Sequence, residues 1–512
     1  MRFIGNKEPI TSEIRGVLNQ KGLLRDKNKL KLFDAFCGTG AVSNSLKDSF
    51  DLVVNDLLNW CVVYTKGRIV ANDCTFKKLG FDPFHFLNSN NRTKKGFIYK
   101  NYSPGGSKRK YFSPENAGRI DYFRNRIEEW KRDGKINDNE YSYLLSSLIE
   151  SISFVSNTAG VYGAFLKHWD PRASKPIIFK RVETKNSKYF NLKCRNEKVE
   201  NIIEAVNCDV LYLDPPYTQN QYGTQYHLLE TLVLNDNPSV SQITGSRPTT
   251  PMRSDWSKMY KAHILFDKVL SKTKAKYILF SYSPDGFMSK SFIEASLKRY
   301  GKPETYECKK ISYNKYTNFK SRGGKEHFEY LFFIEKKDSP NIHYESPLNY
   351  IGSKARMVSE INKYLPREIT TFIDIFGGGF NVGINSNAKH IIYNDINYFV
   401  KDLVESFKIN DTYQFILYVK KIIERFNLKK ADAESYLKVR NYYNSLPIEK
   451  RSPKLLYAVI LYGFNQQIRF NGDHDFNNPV GMRWFNDKVL EKKISFSKII
   501  KEKNITFKSI DY

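Results

Sequence analysis

One arrangement of residues occurs twice in this chain, and it restricts the possible folds more than any other feature. Near the N-terminus an apolar run ends in Asp34, a glycine turn follows, and a second apolar run ends in Asp56. The same order recurs around Asp374 and Asp395, which are separated by nearly the same number of residues. A strand, a tight glycine turn, a helix and another strand describe a βαβ unit of a parallel sheet. We therefore expect an α/β protein that contains a duplicated domain.

The segments that precede the two arrangements also correspond. Phe3-Ile4-Gly5-Asn6-Lys7 is matched by Tyr350-Ile351-Gly352-Ser353-Lys354, so an aromatic residue, a glycine and a lysine keep their spacing. The polar stretch between the two copies has the composition of a linker. The sequence predicts a first domain over residues 1–336, a linker over 337–345 and a second domain over 346–512.

A second motif occurs only in the first copy. The short apolar run Asp209–Leu213 is typical of a buried strand in a parallel sheet, and it is followed by Asp214, Pro215, Pro216 and Tyr217. Two prolines cannot continue a strand, because each lacks an N–H and has a fixed φ. The carboxyl edge of an open α/β sheet is where ligands bind, so the motif presents a carboxylate and an aromatic ring at such a site. A strand end with a Pro-Pro turn is by itself common.

The first glycine turn has part of a nucleotide-binding pattern. Gly38 and Gly40 would let a ligand approach the backbone closely, and an acid about 20 residues past a glycine turn, such as Asp56, suits ribose hydroxyls. The third glycine of the dinucleotide fingerprint is absent, which disfavours a nicotinamide oxidoreductase. Ordinary α/β connections also contain glycine turns and aspartates at strand ends.

Composition indicates the class of partner and the cellular setting. The formal charge is +28, from 82 Lys and Arg against 54 Asp and Glu, which points to a polyanion such as nucleic acid or to a compositional bias towards lysine. The six cysteines include no Cys-x-x-Cys pair, so we expect neither a disulfide framework nor a metal site. We find no signal-peptide pattern and no membrane-spanning apolar stretch, and we expect a soluble cytoplasmic protein.

Two polar segments of the first domain are predicted to be loops. Residues 76–112 are basic and rich in Gly, Asn and Ser, and they suit either contact with DNA or a solvated insertion. The aromatic residues interleaved in that segment are Phe97, Tyr99, Tyr102, Tyr111 and Phe112. Ser246–Ser257 is rich in Pro, Thr, Ser and Arg and is predicted to be a mobile surface loop.

Together these features resemble the Dam-like family of adenine-N6 DNA methyltransferases. More narrowly, the chain is similar to the tandem modification methylases of type IIS restriction systems. The resemblance covers nearly all of residues 1–336 in the family's order. It is carried by Phe3-Ile4-Gly5-Asn6-Lys7, Asp34-Ala35-Phe36-Cys37-Gly38-Thr39-Gly40, Asn55-Asp56, Ser156-Asn157-Thr158-Ala159-Gly160 and Asp214-Pro215-Pro216-Tyr217.

The resemblance implies a fold, a cofactor and partners. The fold would be a Rossmann-like methyltransferase sheet, with a target-recognition region inserted at about residues 76–195. S-adenosylmethionine would be the methyl donor. The substrate would be double-stranded DNA, and the protein would act as a monomer paired with a restriction endonuclease.

Site residues are implied by the same resemblance. The cofactor site would comprise Phe3, Lys7, Asp34, Phe36, Gly38, Gly40, Asp56, Glu197 and Asp214. In that site Asp56 would hold the ribose, Asp34 would lie on the methionine side, and Glu197 would face the adenine. The corresponding positions of the second copy that suit a cofactor are Tyr350, Lys354, Asp374 and Asp395.

The chemistry of adenine methylation explains the choice of residues in the motif. The exocyclic nitrogen is a poor nucleophile until its lone pair localises, and acceptors such as Asp214 and the Pro215 carbonyl stabilise the positive charge that then develops. Pro216 keeps these groups fixed, and Tyr217 can stack on a flipped-out base. The donor methyl is then displaced directly, with no metal or covalent intermediate.

Other functions remain open at the level of sequence. The chain could be a DNA-binding module without catalysis, or it could methylate amino groups of RNA or protein. The second copy could be a methyltransferase cut short or a non-catalytic half that helps to hold DNA. Because the second copy contains no Asp-Pro-Pro-Tyr, we expect it to methylate no adenine.

Overall fold

The computed structural model describes residues 3–24, 29–312 and 328–511. The chain divides into two compact units. The first unit comprises Met1–Lys258, Lys272–Gly286 and Glu307–Glu335. The second unit comprises Met259–Ser271, Phe287–Tyr306 and Lys336–Tyr512.

The first unit contains a mostly parallel sheet. Among the described residues its strands are β1 (Lys31–Asp34), β2 (Asp51–Asn55), β3 (Leu192–Arg195), β4 (Val210–Leu213), β5 (Tyr277–Tyr282), β6 (Glu307–Ser312) and β7 (Phe328–Glu335). They lie in the order β3-β2-β1-β4-β5-β7-β6. β7 pairs antiparallel with both β5 and β6, and the other described pairs of this sheet are parallel. The predicted α/β, Rossmann-like fold of a methyltransferase is confirmed.

The first unit also contains helices. They are α1 (Thr11–Gln20), α2 (Ala41–Leu46), α3 (Asn59–Val70), α4 (Pro83–Asn88), α5 (Phe97–Tyr102), α6 (Pro114–Arg132), α7 (Asp138–Ser153), α8 (Val199–Ile202), α9 (Tyr222–Gln225) and α10 (His227–Leu234). The Ser113 side chain caps α6, and Pro114 occupies its first turn. One core cluster lies between α1, α2 and the sheet, and another joins α3, α6 and α7.

The order of the strands creates a crevice beside β1. β2 follows β1 in the chain and pairs with one edge of β1, whereas β4 pairs with the opposite edge of β1. The carboxyl ends of β1 and β4 therefore open on a topological switch point, where ligands of doubly wound sheets bind. Asp34 ends β1 and lies level with Tyr212 of β4, so Asp34 and Asp214 project at the same edge.

The prediction of a loop over residues 76–112 is only partly correct. The segment contains α4 and α5, and Tyr102, Tyr111 and Phe112 are fully buried. The Tyr102 hydroxyl donates to the carbonyl of Gly245, and the Tyr111 hydroxyl donates to that of Thr244. The three rings therefore serve the core, and neither stack on DNA nor lie in solvent. A polar composition concealed these short helices because neither is long enough to show an apolar period.

The segment Ser246–Ser257 is also better anchored than the sequence predicts. Met252 and Trp256 are buried, so the expected surface loop is wrong for its second half. The Trp256 ring packs edge-on against Phe36, and its indole N–H donates to Glu200 at 3.2 Å. This segment thus helps to build the edge of the sheet where the crevice opens.

The second unit contains a smaller parallel sheet and several helices. Among the described residues its strands are β8 (Thr371–Asp374), β9 (His390–Asn394) and β10 (Ile505–Lys508), in the order β10-β9-β8. The remaining helices are α11 (Lys261–Lys272), α12 (Lys290–Tyr300), α13 (Val358–Tyr364), α14 (Tyr398–Ile409), α15 (Thr412–Arg425), α16 (Ala433–Ser445), α17 (Pro453–Ile460) and α18 (Asp487–Glu502). Although α11 and α12 precede the linker in sequence, they pack mainly in this unit. Arg299 of α12 forms a buried two-point ion pair with Glu491 of α18.

The described residues contain neither a membrane-spanning helix nor a cluster of metal-binding side chains. In residues 3–24, 29–312 and 328–511, no helix combines the length and apolar character needed to cross a bilayer. The same ranges hold no group of three or more His, Cys, Asp or Glu side chains arranged to bind a metal ion.

Candidate active site

A pocket opens at the carboxyl edge of the large sheet. It brings together ten of the predicted site residues, namely Phe3, Lys7, Asp34, Phe36, Gly38, Asp56, Asp214, Pro215, Pro216 and Tyr217. Among the other residues that line it are Tyr222, Met252 and Ser254, to which the sequence assigned no role. Two predicted residues, Gly40 and Glu197, do not line it. Asp34, Asp56 and Asp214 meet here because each lies at or just after the end of a parallel strand.

Gly38 brings the backbone of the first turn directly beneath an aromatic ring. Its φ is +50°, a region that side-chain-bearing residues rarely adopt. A Cβ at this position would lie 3.2 Å from Cε1 of Phe3. Gly40 has a φ of +68° and a different neighbour, since its Cβ would lie 2.7 Å from the Thr65 hydroxyl on α3. Gly38 therefore shapes the pocket, whereas Gly40 allows the turn to pack on a helix.

Asp56 is held by the backbone on both sides. Its Oδ2 accepts the amide of Gly38 at 3.0 Å, and its Oδ1 accepts the amide of Leu58 at 3.0 Å. Burial raises the pKa of Asp56 to about 6, while these two amides act in the opposite direction. Each oxygen keeps a lone pair for a further donor, so the carboxylate can accept hydroxyl groups of a ligand.

Asp34 has one satisfied oxygen and one without a partner. Its Oδ2 accepts the Ser43 hydroxyl at 2.6 Å, whereas its Oδ1 is buried with no hydrogen bond from the described residues. Burial raises the pKa of Asp34 to about 7. A buried acceptor without a donor is costly, and this oxygen belongs to a residue that lines the pocket. The arrangement suits a cationic ligand group.

Asp214 is paired with a lysine that the resemblance placed near the cofactor. Lys7 Nζ lies 2.9 Å from Oδ1 of Asp214 and 2.9 Å from Oε1 of Glu329, and it donates to the Gly5 carbonyl at 3.3 Å. An ammonium has three N–H groups, so these acceptors saturate it. Lys7 thus forms an ion pair with the first residue of the Asp-Pro-Pro-Tyr motif. The role of Glu329, on β7, could not be predicted from the sequence, because a single acidic residue in an apolar strand belongs to no recognisable motif.

The charges around Asp214 decide its protonation. Burial raises the pKa of Asp214 to about 7, Lys7 lowers it, and the nearby charge of Glu329 raises it. Burial lowers the pKa of Lys7, but the charges of Asp214 and Glu329 raise it. The pKa of Lys7 is therefore above its ordinary value, and the lysine stays charged. The ion pair with Lys7 involves Oδ1 of Asp214, and Asp214 lines the pocket, so its carboxylate faces a ligand bound there.

Aromatic side chains form one wall of the pocket. The ring of Phe3 packs against Tyr222 at 5.5 Å and Tyr226 at 4.9 Å, between ring centroids. The Tyr226 hydroxyl accepts the amide of Ile4 at 2.9 Å, which fixes the N-terminal segment across the pocket. Tyr217 packs edge-on against Tyr282 of β5. A planar ligand entering here would meet aromatic faces.

Glu197 lies beside the end of β2 and does not line the pocket, and its predicted role towards the cofactor adenine stays a prediction. Its amide donates to Asn55 Oδ1 at 3.1 Å, and its carbonyl accepts Asn55 Nδ2 at 3.0 Å. The side chain is half exposed, at 48%, and points to Arg195 at 3.9 Å. Its backbone therefore joins the loop after β3 to the end of β2.

The second unit repeats part of this site. Asp395 Oδ2 accepts the amide of Gly378 at 2.9 Å, and Asp374 Oδ2 accepts the amide of Gly383 at 3.0 Å. Tyr350 lies beside Gly378 as Phe3 lies beside Gly38. Lys354 is exposed, whereas its counterpart Lys7 is buried.

Comparison with known proteins identifies relatives along the whole chain. The chain is 36% identical to the type II methyltransferase M.FokI of Planomicrobium okeanokoites, over 99% of this chain and 81% of that one. It is 32% identical to the modification methylase StsI of Streptococcus sanguinis, over 99% and 80%. The modification methylase LlaI of Lactococcus lactis is 33% identical, over 97% and 80%.

The family model that matches describes a D12 class N6 adenine-specific DNA methyltransferase, and it covers residues 3–283 and 350–512. Such an enzyme uses S-adenosylmethionine, whose methionine part carries an ammonium group. The pocket fits this cofactor, since Asp34 offers an unpartnered buried oxygen and Gly38 removes the side chain where a ligand must approach closely. The resemblance inferred from the motifs is confirmed, and the chain belongs to the D12 class N6 adenine-specific DNA methyltransferase family.

Proposed function

We propose that the first unit transfers a methyl group to N6 of an adenine in double-stranded DNA, with Asp214, Pro215, Pro216 and Tyr217 as its catalytic centre. One observation carries the proposal. Asp214 follows the end of β4 and lines the same pocket as Asp34 and Asp56. The acceptor and the cofactor ligands thus meet in one cavity.

The relatives support a role in restriction and modification. Their names describe type II methyltransferases and modification methylases. We propose that this protein likewise protects DNA from a paired restriction endonuclease, that it works as a monomer, and that it acts in the cytoplasm, where its DNA substrate lies. The charge of +28 supports binding to a polyanion of this kind.

The tetrapeptide would promote attack by the amino nitrogen. Asp214 Oδ2 and the Pro215 carbonyl would accept its two N–H groups, which localises the lone pair and stabilises the developing positive charge. Tyr217 would stack on the base after it has left the duplex, a step that DNA-modifying enzymes require. S-adenosylmethionine supplies a methyl group activated by a sulfonium. With this cofactor bound, the C–N bond would form as the C–S bond breaks, and the nitrogen would then release one proton to water.

The residues that would hold the cofactor follow from the charges in the pocket. Asp34 Oδ1 would accept the ammonium of the methionine part, which would satisfy the buried oxygen. Asp56 would accept the ribose hydroxyls with its remaining lone pairs. Phe3 and Phe36 would pack against the cofactor from two sides of the pocket.

For the second unit we propose a duplicated domain that has no acceptor for adenine within the described residues. Asp374 and Asp395 repeat the positions of Asp34 and Asp56, which supports the proposed boundary between residues 1–336 and 346–512. The packing of α11 and α12 in this unit adds two helices from the first part of the chain. Methylation of both strands would then depend on Asp214.

Substitution of Asp214 tests the catalytic assignment. We expect Asp214→Asn and Asp214→Ala to lower methyl transfer on both strands of the recognised site by about a hundredfold or more, as for other preorganised electrostatic groups. Sequencing that detects N6-methyladenine would report both strands, and calorimetry would show that S-adenosylmethionine still binds. Transfer that survives on either strand would disprove the assignment.

A matched control lies at the other end of β4. Asp209 Oδ2 accepts the amide of Lys31 at 2.7 Å, and asparagine keeps an oxygen for this bond. We expect Asp209→Asn to retain full activity.

Competition between duplex DNA and structured RNA in the same assay would show whether RNA is the preferred substrate.

A further inference from the structure

Glu329 shares Lys7 with the proposed catalytic carboxylate. The ammonium of Lys7 lies 2.9 Å from Oε1 of Glu329 and 2.9 Å from Oδ1 of Asp214, and the Gly5 carbonyl is its third acceptor. Lys7 therefore lies at ion-pair distance from both carboxylates at the same time. The position of the ammonium is therefore set by both carboxylates.

Glu329 is itself held in place. It lies on β7, is 3% exposed, and its Oε1 accepts the Ser281 hydroxyl at 2.6 Å. Ser281 is fully buried on β5, the strand that pairs with β7. Two adjacent strands of the sheet thus fix this carboxylate, and the fixed carboxylate fixes Lys7.

The charges of the three groups bear directly on catalysis. One ammonium and two carboxylates, all buried or nearly so, leave one net negative charge beside the pocket. If Lys7 were paired with Asp214 alone, the pair would be neutral and would stabilise little of the positive charge that develops on the adenine nitrogen. A second carboxylate on the same lysine restores that negative charge.

We propose that Glu329 is a positioning residue for methyl transfer, which holds Lys7 between two carboxylates so that the three groups together keep one net negative charge beside the pocket. Ser281 supports Glu329 in this role. The proposal rests on the proposed function, because it needs Asp214 to be the acceptor of the adenine amino group.

The proposal has a consequence for pH that a purely structural residue would not share. Burial raises the pKa of Asp214, Lys7 lowers it, and the charge of Glu329 raises it. Removing the charge of Glu329 should lower the pKa of Asp214, so the acid limb of the rate should move to lower pH. The other titratable groups that face this pair, which stay unchanged in the test, are Asp34, Tyr212, Tyr217 and Tyr222.

The test compares Glu329→Gln with a control on the neighbouring strand. Glu307 of β6 pairs with Lys21 at the surface, so Glu307→Gln removes a carboxylate of the same sheet far from the pocket. Steady-state kcat and KM are measured against pH, with a DNA duplex that the unmodified protein methylates. For Glu329→Gln we expect kcat to fall about tenfold or more with little change in KM, and its acid limb to move to lower pH. Glu307→Gln should change neither quantity.

Two further variants keep the test decisive if Glu329→Gln does not fold. Glu329→Asp retains the charge but withdraws it, so we expect a partial loss of kcat and a partial shift of the limb. Ser281→Ala should give a smaller loss of kcat than Glu329→Gln. An unchanged kcat, or an acid limb that stays in place or moves to higher pH in the Glu329 variants, would overturn the proposal.

The Asp214 variants separate this proposal from the proposed function. If Asp214→Asn is inactive while the Glu329 variants behave like the unmodified protein, only the role of Glu329 fails. If Asp214→Asn remains active, the assignment of the catalytic centre fails, and the proposed role of Glu329 fails as well.

Discussion

The amide of Gly38 donates a hydrogen bond of 3.0 Å to Asp56, and this bond ties the turn after β1 to the acid that follows β2. Gly378 and Asp395 form the same bond at 2.9 Å in the second unit. The spacing between glycine turn and acid is therefore a geometric requirement of the βαβ unit. Each turn also leaves the acid with lone pairs for a ligand.

This shared bond gives a matched pair of substitutions. We expect Asp56→Asn to raise the KM for S-adenosylmethionine about tenfold or more, because a neutral amide accepts the ribose hydroxyls less strongly than a carboxylate does. Asp395→Asn should leave methyl transfer within about twofold, since the proposed catalysis belongs to the first unit. Methyl transfer from labelled donor would report both effects. An equal loss in the two variants would contradict the assignment of catalysis to one unit.

The acid limb of methyl transfer should lie near neutral pH. Burial raises the pKa of Asp214 to about 7, and the protonated carboxyl cannot stabilise a positive charge as a carboxylate does. As pH falls through that value, kcat should fall about tenfold per pH unit. Single-turnover rates at saturating donor and DNA would measure this limb. A rate that stays constant well below pH 7 would show that Asp214 is ionised there and that its pKa is not raised.

Much of the site could be predicted from sequence because strand ends carry a local signal. Asp34, Asp56 and Asp214 each follow a short apolar run, and parallel strands bring such residues to one edge of the sheet. Glu329 and Trp256 could not be found in this way. Their roles depend on partners that only the fold brings near, namely Lys7 for the first and Phe36 for the second.

Gly38 offers a test of the close approach between the turn and Phe3. In Gly38→Ala the new Cβ would lie 3.2 Å from the Phe3 ring, in addition to the strain of a positive φ. We expect Phe3 to shift and the affinity for S-adenosylmethionine, measured by calorimetry, to fall about tenfold. Gly22→Ala is the control, since Gly22 has a φ of +75° with no atom within 4 Å of its Cβ. That variant should lose only about 1 kcal/mol of stability and keep its affinity. Equal affinities in the two variants would mean that the contact with Phe3 does not matter.

A substitution at Gly67 tests the close packing of α3 against α7. It lies on α3, where a Cβ would overlap the Ser146 hydroxyl of α7 and lie 2.5 Å from the Ser142 carbonyl. Because backbone cannot move aside as a flexible side chain can, we expect Gly67→Ala to lower the free energy of unfolding by about 3 kcal/mol. The midpoint of urea denaturation, followed by circular dichroism, would measure the change.

The control for Gly67 is a glycine in an exposed part of another helix. Gly16 of α1 has no atom within 4 Å of its Cβ, so Gly16→Ala gains helix propensity without a clash. We expect it to raise the free energy of unfolding by up to about 1 kcal/mol. The two substitutions are chemically identical, and opposite signs would show that the approach of α3 to α7 sets the cost at Gly67. A loss of similar size at both positions would instead indicate a general effect of replacing glycine, and would argue against the close packing of these helices.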